Sequence, residues 1–165
     1  MNSEIAYLPD FGRPVGAYQP HDLSFMFPDP DEDVLVVLII TAFQKFRHIS
    51  RLSLEAPMDG CCPFQRAIYT VHLDIVQEAG VDHFTNWGPI TRTERKEEHI
   101  IPMAKLSLEK REQLGRIAAK TPVRIPDGTW NCQDWLITVL ETAESQNILM
   151  HEDWAPAVQS AQKYT

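Results

Sequence analysis

The stretch Val34-Leu-Val-Val-Leu-Ile-Ile-Thr-Ala42 restricts the fold more than any other part of this chain. It is apolar without alternation and rich in β-branched side chains. It is too short to cross a bilayer, so it suits a strand buried on both faces. A chain of 165 residues with such a strand fits one domain and can bury a core without staples. Ordinary apolar (44%) and charged (23%) fractions set aside fibrous and disordered classes.

The segments after this strand predict more sheet. Phe46 to Leu54 places His48, Ser50, Leu52 and Leu54 on one period-two face. Ala56 to Phe64, with two prolines and a glycine, reads as a hairpin loop, and Arg66 to Ile75 as a third strand carrying His72. These three strands predict an antiparallel meander. Trp87 and Pro89 predict a turn and a short strand, Arg92 to Glu98 an exposed hairpin, and His99 to Leu106 a strand that Pro102 assigns to an edge.

Helical signals follow. Ser107 can cap a helix from Leu108 to about Lys120, ended by Thr121-Pro122. Trp135, Leu136, Val139, Leu140 and Ala143 share a helical stripe, with Thr129 or Asn131 as its cap. A last helix is expected from about Asp153, with Pro156 in its first turn. The expected architecture is therefore α+β: an antiparallel sheet of about four to five strands packed against C-terminal helices. Residues 1–33, with five prolines, read as an N-terminal arm, and residues 34–165 as the single folded domain.

Charge and cysteine usage narrow the function classes. A formal charge of −8 disfavours nucleic acid and anionic membranes as partners. The beginning of the chain lacks a secretory pattern, and three cysteines, two adjacent, do not suggest a disulfide framework. A reducing, cytoplasmic setting is expected. No phosphate-cradling glycine loop occurs, and Cys61-Cys62 lacks the second ligand pair that zinc requires, so neither metal nor cofactor is expected.

Cys132 is the chemical candidate. It falls in the first turn of the second expected helix, where unpaired N–H groups and the helix dipole favour a thiolate and can hold an oxyanion. Such a thiol needs a base, and His48 and His72 lie on consecutive strands. If those strands pair with coinciding faces, one histidine would take the thiol proton and the other would orient it. Asp74 is an alternative orienting group, and Trp130 could line a substrate groove. Each feature also has a plain structural explanation: a buried cysteine as a small hydrophobe, a satisfied sheet histidine, and Trp135 as core. His83, His99 and His151 read as surface residues.

The order of strand histidine, second strand histidine and then Asn131-Cys132-Gln133 at a helix start resembles the circularly permuted papain-like cysteine enzymes. That group includes the lecithin retinol acyltransferase type and is related to NlpC-type peptidases. Trp130-Asn-Cys-Gln-Asp-Trp135 is also similar to small fungal proteins in which a His-Trp-Ala strand precedes a Trp-Asn-Cys helix. The resemblance implies Cys132 as nucleophile, His48 as general base and His72 as orienting residue, with Trp130, Asn131 and Gln133 beside the substrate. It implies a cysteine-dependent acyl-transfer enzyme acting on an amide, ester or thioester, by hydrolysis or transfer, with a small-molecule or peptide-like acyl substrate. Ile49, where the group carries tryptophan, and the Pro-rich arm motivate the alternative of a non-catalytic binding or scaffolding module, homodimeric in one version. A tailoring enzyme of fungal small-molecule biosynthesis is a third reading.

Overall fold

A computed structural model describes residues 5–43, 46–55, 69–93 and 98–164, with backbone alone for 41–43, 46–55, 69–70, 93, 98–99 and 164. Among the described residues, seven strands and three α-helices follow in order: β1 (Val34–Phe43), β2 (Phe46–Glu55), β3 (Tyr69–Leu73), β4 (Val76–Gln77), β5 (Phe84–Thr85), β6 (Ile90–Thr93), β7 (Glu98–Leu106), α1 (Leu108–Lys120), α2 (Cys132–Ser145) and α3 (His151–Ala161). The chain is α+β, and every strand pair is antiparallel. The main sheet runs β6-β3-β2-β1-β7, and β4 pairs with β5 apart from it.

β1 lies between β2 and β7. Val34, Val36, Leu38 and Ile40 join the core shared with the helices, while Val37 and Ile39 are fully buried outside that cluster. Burial of both residue sets explains why the run lacks polar alternation. β7 is an edge strand, as Pro102 requires. The ladder slips between Val36 and Val37, opposite Ala104 and Pro102, so the proline sits at a bulge.

A second bulge changes the reading of β2. Leu54 pairs with Val36 and Leu52 with Leu38, but beyond the slip at Ile39/Ile40, Ile49 pairs with Ile40 and His48 with Thr41. Ser50 is the inserted residue. The unbroken period-two face expected through 48, 50, 52 and 54 is therefore interrupted, because one extra residue reverses the alternation.

α1 starts where Ser107 accepts the Lys110 N–H and buries Leu114, Ile117 and Ala118. Its last carbonyls are satisfied from outside the helix. The fully buried Asn86 amide donates to Ala118 O (2.8 Å) and Thr121 O (2.9 Å), and the Trp135 indole donates to Thr121 O (3.3 Å). α3 begins at His151, one turn's edge before the expected Asp153, which instead caps it by accepting the Met150 N–H. α2 packs on β2, α3 on β7 and β1, and α1 on α2.

The N-terminal residues 5–33 lie along the domain. Tyr7 bridges Arg124, Leu8 N–H donates to Val123 O, and Leu23 N–H donates to Thr91 O. Arg111, with a side chain 0% exposed, grips the segment before β1: Nε donates to Asp29, Nη1 to Glu32 O and Leu106 O, and Nη2 to Pro30 O. Among the described residues no helix is long and apolar enough to cross a membrane.

Candidate functional site around Cys132

The turn that delivers the chain to α2 is built on Asp127. Its Oδ1 accepts Thr129 N–H (2.8 Å), Trp130 N–H (2.8 Å) and the Thr129 hydroxyl (2.9 Å). These bonds, the one from Trp130 foremost, hold the Asp127 carboxyl at about 2, below its usual 3.8. Trp130 is thereby fixed beside the helix start. Phe84 meets its ring edge-on at 6.2 Å, and the Arg124 guanidinium lies 6.0 Å from its centroid.

Asn131 is the N-cap. Its Oδ1 accepts Gln133 N–H at 2.8 Å, and Asp134 returns the favour by accepting Asn131 N–H at 2.8 Å. This reciprocal box is what Ser/Thr/Asn followed three residues later by an acidic or amide side chain produces. Cys132 is thus the first residue of α2. It is 2% exposed and belongs to the core cluster with Trp135 and Leu136. Asn131 and Gln133, expected near a substrate, are half-buried, and both take part in the cap.

The two histidines do not meet as the sequence reading anticipated. β2 and β3 do pair, but His72 stands opposite Ser53, five residues beyond His48. At the rise of a strand, that separates the two positions by roughly 15 Å. The bulge and the register, which the pattern of residue types does not encode, account for the correction. His72 is 1% exposed and cross-paired with Ile90. Asp74 is also buried and lies 3.7 Å from the Arg92 guanidinium, so it carries an ion pair rather than an exposed orienting role. His48 itself stands on β2, the strand on which α2 packs.

The remaining candidates resolve as follows. Trp135 is core, at 1% exposure. His83, expected at the surface, is partly buried: Nε2 meets Gly12 O and Nδ1 meets Asp82, both at 3.0 Å. His151 is exposed and shares Glu144 with Trp154. Cys61, Cys62 and the 56–64 loop lie outside the described residues, as do residues 94–97 of the charged hairpin. Among the described residues no group of three His, Cys, Asp or Glu side chains gathers as a metal site. The residues that sequence reasoning missed are Arg111 and Asn86. Arg111 falls on the helical stripe of Leu114 and Ala118, and that polar member of a buried stripe was the available signal; Asn86, beside Thr85 and Trp87, had none.

Comparison of the chain with family models, curated proteins and solved structures finds no match.

Proposed function

We propose that the protein is a cysteine-dependent acyl-transfer enzyme of permuted papain-like build, working in a reducing, cytoplasmic compartment, with Cys132 as nucleophile and His48 as its base. The observation that carries this reading is the position of Cys132 as the first residue of α2, in a closed capping box, on a helix packed against the strand that bears His48. The positive end of the α2 dipole, at which Cys132 stands, favours a thiolate there and the negative charge of an oxyanion beside it.

In the proposed cycle, His48 takes the Cys132 proton and the thiolate adds to the carbonyl carbon of an amide, ester or thioester. The tetrahedral oxyanion lies at the positive dipole end of α2. As the carbon–heteroatom bond breaks, His48 returns the proton to the leaving group, and the acyl group stays on sulfur. Water or a second nucleophile, deprotonated by His48, then attacks the thioester and regenerates the thiol. His72 is not a direct orienter of His48 in this scheme, because the register sets it too far along the sheet.

A second reading, a binding module on the same scaffold, is favoured by one observation: Cys132 is 2% exposed within the core cluster. Incubation with aryl acetates and intact-mass analysis separates the two. The enzyme reading expects an acetyl adduct on Cys132, lost in C132S and slowed in H48N. A wild-type chain that acquires no adduct at Cys132 supports the module.

A further inference from the structure

A cleft of about 420 Å³ opens between β3, α1 and the N-terminal arm, away from the start of α2. Its apolar lining comes from Val71, Leu73, Pro89 and Ala119. Gly115 helps keep it open, since a Cβ there would come within 3.2 Å of Pro89 Cγ. An apolar, concave site with a few placed polar groups is the ordinary form of a small-molecule pocket.

The charges on its wall are Asp22, Asp29, Glu112, Arg111 and Arg116. Two pairs neutralise each other: Arg111 with Asp29 at 3.0 Å, and Arg116 with Glu112 at 3.6 Å. Asp22 has no ionic partner among the described residues. Its Oδ1 accepts the Ser24 and Thr91 N–H groups, and its Oδ2 accepts the Ser24 hydroxyl. The Thr91 side chain bonds to the carboxylate as well, so what Asp22 offers the cleft is its negative charge. Burial would raise the Asp22 carboxyl, but the bonds from Ser24 and Thr91 outweigh it and keep the group ionised.

We propose that this cleft binds a small organic cation, an amine with an apolar body, whose ammonium group pairs with Asp22 while its hydrocarbon part lies against Val71, Leu73 and Ala119. The arm therefore contributes a recognition group, and a cationic ligand complements the one uncompensated charge on the wall.

Phenethylamine is a suitable probe, with phenylacetate as its anionic counterpart, followed by ligand-observed NMR titration of the full chain. Phenethylammonium is expected to bind and phenylacetate not to. D22N, which keeps an acceptor for Thr91, is expected to weaken the amine by about tenfold or more, the scale of one lost charged contact. A119M, which fills the cleft without touching Asp22, is expected to abolish binding with the circular dichroism spectrum unchanged. No amine binding, equal binding of phenylacetate, or undiminished binding by A119M would overturn the proposal.

Discussion

Asp134 accepts the backbone N–H of Asn131 at 2.8 Å, while Asn131 accepts that of Gln133 at the same distance, so the residue between the cap and the second turn, Cys132, is held from both sides. Removing either half of this box should loosen the helix start. N131A and D134A are each expected to cost about 1 kcal/mol in urea unfolding, with N131A the larger because it uncaps an orphan N–H. Both should also change the reactivity of Cys132 without changing its chemistry, which site-resolved alkylation would detect.

Arg111 is the anchor between α1 and the segment that enters β1. Truncating it leaves the Asp29 carboxylate and the carbonyls of Pro30, Glu32 and Leu106 without their donor. R111A should destabilise by about 3–5 kcal/mol, the range for stranding one partner of a buried pair. D29N should cost less, since an amide oxygen still accepts. Denaturant titration of both variants checks the order.

Gly12 sits at φ +74°, and a Cβ there would lie 2.3 Å from Phe84 O. G12A must therefore strain the backbone and push the arm from β5, breaking the contacts of Gly12 O with His83 and Thr85. A loss of about 2 kcal/mol or more is expected, with faster proteolysis within residues 13–21 as the readout.

The Asp127 turn gives a pH prediction. Its carboxyl is depressed to about 2 from 3.8. A depressed carboxylate contributes stability that is complete above its unfolded value and is lost as the pH falls through its folded value. The stability gap between wild type and D127A should therefore be constant above about pH 5 and close between about pH 4 and about pH 2. A gap that persists at pH 2 would mean that the turn does not depend on the charge.

How far these features could be read from residues alone depended on whether the determining interaction was local. The start of α1 at Ser107–Leu108, the Asn131 cap and the edge position of the Pro102 strand all follow from side chains acting within a few residues. The relation of His48 to His72 did not. It depends on a bulge at Ser50 and on a pairing that puts Ser53 opposite His72, and residue types at those positions do not specify either. The Arg111 clamp was hidden for a similar reason. Apart from Leu106 O, its acceptors are Asp29 and the carbonyls of Pro30 and Glu32, some 80 positions earlier in the chain. Cys132 lay between these cases: its place at a helix start was legible, its depth in the core was not.

The central claim is that the thiol of Cys132 is activated, and its alkylation rate by iodoacetamide as a function of pH, read at the Cys132 peptide by mass spectrometry, tests it most directly. The account predicts labelling with an apparent midpoint well below the 8.5 or so of an ordinary thiol, moving upward in H48N and unmoved in H72N. A Cys132 that resists labelling until the protein unfolds, or that titrates like an unperturbed cysteine with His48 intact, would contradict it.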